Sequence, residues 1–402
     1  MDHPSSSREN IRYSALSITY WMVCCVMLNY ASVFLLAKGF SNSQIGIILA
    51  AGYLVCMPLQ SLMAGFADRS RKFSPVSILS MCAALVGIAL FFALIAPSHS
   101  LTLAAAFLLF MAMTRTMQPL LNAFAFHMER QGYTIRFSIA RGLGSLGYAA
   151  MTALLGYLST RLGANILIYA ALVALAAMLL LLFRFRGICP PCANVHPKTR
   201  RMIPLGAFLH RYRSFLFFLA GTSLLFFGHA AINGFIIQIV NHVGGGNTQM
   251  GTLQSYAAVL ELPAMFLFDR LYRRFSCISM AKFAAIFFLI KCIGFYFASS
   301  MTGLYIAVSM QALSFGLFTP ASIRYANEAL DPADANKGQA FIVLAISAGS
   351  ILASALGGRL LDISSVRIFL LATVLVSAMG VLLMAFVPRK PNNMDCKISD
   401  PK

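Results

Sequence analysis

The sequence predicts an all-α, polytopic membrane protein built from two related halves. Three observations predict it. Hydrophobic residues make up 59% of the 402, only 11% are charged, and mean hydropathy is +0.78. A soluble domain of this size could not bury that much apolar surface. The apolar runs are about twenty residues long, the length at which a helix spans a bilayer. The octapeptide Asp68-Arg69-Ser70-Arg71-Lys72-Phe73-Ser74-Pro75 returns, altered, as Asp269-Arg270-Leu271-Tyr272-Arg273-Arg274-Phe275-Ser276. The two copies start 201 residues apart, half the length of the chain. A second echo has nearly the same register: Ser145-x-Gly147 with Gly156 nine residues on, and Ser347-x-Gly349 with Gly358.

Twelve apolar runs follow in order: 13–37, 44–66, 75–96, 100–126, 137–160, 164–184, 213–240, 248–268, 276–298, 301–324, 338–361 and 365–388. Their length and lack of alternation predict helices rather than barrel strands. The longest connection joins the sixth and seventh runs. It is basic and holds Pro190, Pro191, Pro197 and Pro204. The expected organisation is therefore an N-terminal six-helix bundle over 1–185, a cytoplasmic linker over 186–212, a C-terminal six-helix bundle over 213–389 and a cytoplasmic tail over 390–402. With these spans, about 24 of the 31 Lys and Arg lie on the side of the N-terminus, which the positive-inside rule assigns to the cytoplasm. About four lie on the other side: Lys38, Arg161, Arg359 and Arg367. Both termini are expected to be cytoplasmic, which an even number of spans requires. The segment from Met1 to Arg12 is polar and the first apolar run lacks a small-residue cleavage site, so that run is expected to stay as the first helix.

The net charge of +19 follows this topology, and nucleic-acid binding is not expected. No GxxxxGK[ST] motif occurs, so ATP is not the expected direct energy source. No cofactor, metal site or catalytic residue is expected, and the chain does not read as an enzyme. Cys189-Pro-Pro-Cys192 has redox or metal spacing, but one such pair offers two ligands where zinc takes about four.

Duplicated six-helix halves, a long central loop and Asp-Arg-rich turns after the second and eighth runs resemble the major facilitator superfamily. The turn Gly65-x-x-Asp68-Arg69 with Arg71-Lys72 matches its signature in part: Ala64 stands where a glycine is usual. Five further stretches resemble the branch holding lactose permease, nucleoside symporters and phenylpropionate permeases. They are Gly39-Phe40-Ser41-x-x-Gln44-Ile45-Gly46, Pro119-Leu120-Leu121-Asn122-Ala123, Arg141-Gly142-Leu143-Gly144-Ser145-Leu146-Gly147-Tyr148, Glu261-Leu262-Pro263 and Gly338-Gln339-Ala340. The resemblance implies two pseudo-symmetric six-helix bundles and alternating access to a site between them.

Polar side chains at mid-membrane are costly, and they face a cavity, a partner or a pathway. Arg115, Gln118 and Asn122 fall at i, i+3 and i+7, one face of a helix. His229 and Asn233 are one turn apart. Glu261, Lys291, Gln311 and Ser314 complete the set. The resemblance adds roles. Arg141 and Tyr148 match an arginine and an aromatic residue that hold the sugar in lactose permease, but Asn122 stands near where that site has an acid. Glu261 and Lys291 match its proton-coupling region, whereas Gln311 and Ser314 replace a histidine and a glutamate there. Asp68 and Arg69, with Asp269 and Arg270, match cytoplasmic gate contacts. Arg115, Gln118, Asn122, Arg141, Tyr148, His229 and Asn233 are thus the candidate solute contacts, and Glu261 and Lys291 the candidate coupling pair.

The expected function is secondary active transport of a small polar or organic-anion solute across the plasma membrane, a bacterial inner membrane, with protons as the coupling partner. An uncoupled facilitator, an exporter and a solute sensor are the alternatives. The lipid bilayer is the expected surroundings and a monomer the expected state.

Overall fold

The structure, a computed structural model, describes residues 4–69, 73–185, 208, 210–331 and 334–388. The Cys189–Cys192 pair, Arg71, Lys72 and most of the 186–212 linker lie outside the described residues. Among the described residues there are helices and no strands. The first seven helices are α1 (Pro4–Asn29), α2 (Ala31–Ala37), α3 (Asn42–Arg69), α4 (Pro75–Ile95), α5 (Leu101–Arg130), α6 (Phe137–Leu162) and α7 (Asn165–Arg184). Then come α8 (Arg213–Gly234), α9 (Ile236–His242), α10 (Asn247–Tyr272), α11 (Cys277–Phe297) and α12 (Met301–Ser309). A π-helical turn, Ala312–Gly316, leads into α13 (Leu317–Ala329), followed by α14 (Ala335–Ile363) and α15 (Val366–Ala385).

The duplication is written into the local structure. Ser74 and Ser276 each cap a helix, accepting from Ser77 N at 3.2 Å and from Ser279 N at 3.4 Å. Ser100 and Ser300 do the same for α5 and α12. A capped N-terminus satisfies an amide that the helix itself cannot. The first span breaks at Tyr30, and the seventh breaks at Phe235. Gly39 and Gly244 follow these broken spans at φ +86° and +82°, where a side chain would be strained.

Among the described residues, ten helical stretches are long and apolar enough to cross a membrane. The expected spans missing from those ten are α6 and α10, each 26 residues long. Their polar residues lower hydropathy without shortening them: Arg141 and Arg161 on α6, Gln254, Glu261 and Asp269 on α10. Large apolar side chains such as Leu54, Val173, Leu180 and Leu382 are exposed along the helices, as a bilayer-embedded surface requires.

The described chain forms two compact units. The first holds Met1–Pro197, Asn233–Val259 and Ser354–Val366; the second holds Lys198–Ile232, Leu260–Ala353 and Arg367–Lys402. In the first unit, α1 packs on α5, α6 and α7, and α5 packs on α3 and α4. Two helix crossings there are closed by glycine. A Cβ on Gly156 would lie 2.9 Å from Gly251 Cα, and one on Gly46 would lie 2.2 Å from Ser354 O. Only glycine permits such backbone approach. In the second unit α11 packs on α12, the π-turn and α13. Its core is rich in aromatic rings: Phe218 stacks on Phe318 at 6.0 Å, and Phe226 meets Phe288 at 5.6 Å.

Candidate functional site

Two polar constellations emerge, one in each unit. The first is built on α1, α3, α5 and α6. The Arg115 guanidinium lies over the Tyr53 ring, 4.3 Å from its centroid. Its Nε is buried without a hydrogen-bond partner, and neither ion pair found among the described residues includes it. Its backbone carbonyl accepts from Gln60 Nε2 at 2.9 Å, which tightens α3 against α5. Gln118 and Asn122 follow on α5, both half-buried.

Arg141, near the start of α6, lies over Trp21 at 4.0 Å and donates to Ser145 Oγ at 2.7 Å. Trp21 meets Tyr148 edge-on, with ring centroids 6.2 Å apart. The i, i+7 spacing of Arg141 and Tyr148 therefore brings both to one indole. The Tyr148 hydroxyl continues inward, donating to Asn29 Oδ1 at 2.9 Å. Sequence reasoning singled out neither Trp21, Tyr53 nor Asn29. The one tryptophan in the chain was the available signal, since indole is the best cation–π partner.

The second constellation is a chain of four polar groups in the second unit. Lys291 is 2% exposed on α11. Its Nζ lies 2.8 Å from Gln311 Oε1 and 3.2 Å from His229 Nδ1. Gln311 Nε2 in turn donates to Glu261 Oε1 at 2.7 Å. Lys291 thus reaches Glu261 through an amide bridge instead of a direct ion pair. His229 is stacked on Phe315, 4.9 Å away and 5° from parallel. Gln311 sits at the start of the π-turn, the kind of helix distortion that recurs at functional sites. Ser314 is fully buried and bonds back to the Gln311 carbonyl.

Asn233 is half-buried and belongs to the first unit, whereas His229, one turn earlier, belongs to the second. Of the four predicted gate residues, the side chains of Asp68, Arg69 and Asp269 lie outside what the structure describes. Arg270 is exposed and lines a cavity of about 400 Å³ with Leu267, Leu271, Arg273 and Arg274. A different carboxylate makes a clear helix-end contact. Asp362, at the end of α14, accepts from Asn42 N at 3.1 Å, Asn42 Nδ2 at 2.9 Å and Ser43 N at 2.7 Å. It closes the N-terminus of α3, which lacks an acidic residue in its own first turn. Gln238 Nε2 adds a bond to Asn42 Oδ1 at 2.8 Å. Among the described residues, no group of three or more His, Cys, Asp and Glu could hold a metal ion.

The family model of the MFS_1 like family matches residues 10–372. The chain is 28% identical to maltose permease of Geobacillus stearothermophilus over 355 residues, 86% of each protein. It is 27% identical to the probable 3-phenylpropionic acid transporter of Escherichia coli over 323 residues, 79% of this chain and 82% of that one. Among solved structures, the nucleoside transporter NupG matches with a TM-score of 0.78 at 14% identity, covering 94% of this chain and 97% of that one. A bacterial homologue of the human lysosomal transporter Spinster matches at 0.69, with 14% identity and 96% and 97% coverage. Each of these structures shares the fold. With a family model covering nine-tenths of its length, the chain belongs to the MFS_1-like family and is a multi-pass membrane transporter of the major facilitator type.

Proposed function

We propose that this transporter moves a small organic anion by alternating access, with a carboxylate on the solute meeting Arg115 and Arg141. The observation that carries this is Arg115: a cation within a spanning helix, set over an aromatic ring, with a buried Nε that nothing in the described residues satisfies. An unpaired polar group in such a place is costly, and a ligand that supplies the missing acceptor offsets the cost. The similarity to a probable 3-phenylpropionic acid transporter supports an aryl carboxylate. The Trp21 and Tyr148 rings would accept its apolar part. The similarity to maltose permease supports a second reading, a neutral sugar stacked on the same rings.

The Glu261–Gln311–Lys291–His229 chain is the proposed proton-coupling device, with Glu261 carrying the proton. The charge bias of the loops supports two cytoplasmic termini, a cytoplasmic linker between six-helix halves, and α6 and α10 as the fifth and eighth of twelve spans. Counterflow in proteoliposomes tests the solute. Labelled 3-phenylpropionate is expected to exchange, and Arg115→Ala and Arg141→Ala are each expected to lower exchange at least tenfold without loss of folded protein. Exchange of labelled maltose but not 3-phenylpropionate would establish the sugar reading instead.

A further inference from the structure

Asn29 is the last residue of α1 and is 5% exposed; both lone pairs of its carboxamide oxygen and one of its amide protons are engaged. From α6 it is held twice. Nδ2 donates to Thr152 Oγ1 at 3.1 Å, and Oδ1 accepts from the Tyr148 hydroxyl at 2.9 Å. Thr152 is itself fixed, donating to the Tyr148 carbonyl at 2.7 Å. The second lone pair of Asn29 Oδ1 takes Gln254 Nε2 of α10 at 3.1 Å. Gln254 is 6% exposed, so this bond is shielded from water. One turn away lies the Gly156–Gly251 crossing of α6 and α10, with the Tyr30 hydroxyl bonded to the Thr152 carbonyl beside it. Beyond the crossing, Thr160 and Thr248 hydroxyls meet at 3.0 Å. All of these residues lie in the first unit.

We propose that Asn29 is a positioning residue that ties the solute contact Tyr148 to closure of the α6–α10 crossing. Thr152 and Tyr148 orient the carboxamide so that it presents a lone pair to Gln254. A solute that draws the Tyr148 hydroxyl to itself removes one of the two holds, and the receptor for Gln254 loses its fixed orientation. Occupancy of the site is thereby converted into a weaker crossing. The solute step rests on the reading of Tyr148 as a solute contact; the latch itself does not.

The test is a double-mutant cycle on closure, read without solute. Thr160→Cys and Thr248→Cys are placed in full-length protein with Cys189, Cys192 and Cys396 replaced by serine. The six cysteines among the described residues are buried. The rate of Thr160–Thr248 disulfide formation reports the closed crossing. Gln254→Met and Tyr148→Phe are each expected to slow it about fivefold, the worth of one net hydrogen bond. Together they are expected to slow it no more than either alone, because both act through one carboxamide. Asn29→Leu is expected to match the pair, and melting temperatures identify any variant that fails to fold. Rates within twofold of the parent, or effects that multiply, would overturn the latch. Addition of 3-phenylpropionate is expected to slow the parent but not Tyr148→Phe. An unchanged parent rate beside an intact cycle would remove Tyr148 from the solute site and leave the latch standing.

Discussion

Gln311 allows Lys291 to be buried near a carboxylate without touching it. Its carbonyl oxygen faces Lys291 and its amide nitrogen faces Glu261, the one orientation that suits both partners. Gln311→Leu keeps the volume and removes both bonds. It is expected to lower stability by about 1–3 kcal/mol, because it strands polar groups in a buried setting, and thermal melting in detergent measures it. Glu261→Gln keeps shape and bridge but removes the proposed proton carrier. We expect it to retain counterflow and to lose uphill accumulation under a pH gradient. Uphill uptake by that variant would move the coupling role elsewhere. Neither outcome follows from side-chain types alone, since a lysine and a glutamate on neighbouring spans read equally well as a direct pair.

At the scale of helices, the main devices are breaks and ends. The breaks at Tyr30 and Phe235 place two short helices, α2 and α9, at matching points of the two halves. Ser32 Oγ donates to the Gly234 carbonyl, one residue before the second break, which gives that acceptor a partner. Asp362 supplies from a distant helix the acidic group that α3 lacks at its N-terminus. A carboxylate at that position is favoured by about 0.3–1 kcal/mol through the helix dipole, besides its hydrogen bonds. Asp362→Asn is therefore expected to speed hydrogen exchange at the Asn42 and Ser43 amides while leaving α14 helical. Gly358→Leu is expected to do more harm. Its Cβ would sit 2.1 Å from the Asn42 carbonyl oxygen, backbone cannot yield at that distance, and the melting temperature should fall clearly below that of Asp362→Asn.

For the whole molecule, topology is the property most open to direct test. Reporter fusions after Pro191 and at Lys402 are both expected to read cytoplasmic. A reading on the opposite side at either point would mean that α6 or α10 does not cross. Those two helices are the critical ones because their polar residues depress hydropathy. In a bilayer such residues are tolerated where they face protein. Several of them do: Gln254 meets Asn29, Glu261 meets Gln311, and Arg141 meets Trp21 and Ser145.

Fold class, duplication and the identity of most polar groups were legible in the sequence, because each rests on composition, run length or spacing along one helix. Arg141 and Tyr148 shared a face by arithmetic, and the repeat of Asp68 at Asp269 marked the halves before any helix was placed. Tertiary structure alone decided which groups meet. Asn29, Tyr53, Gln254 and Asp362 carry no local signature, since an asparagine or glutamine at a buried position looks the same whether it binds its own turn or a helix 225 residues away. The amide bridge at Gln311 depends on the π-turn that follows it, and the Gly46 and Gly156 crossings depend on which backbone lies opposite. Local patterning sets what each helix can bury; only packing between helices settles what each buried polar atom is paired with.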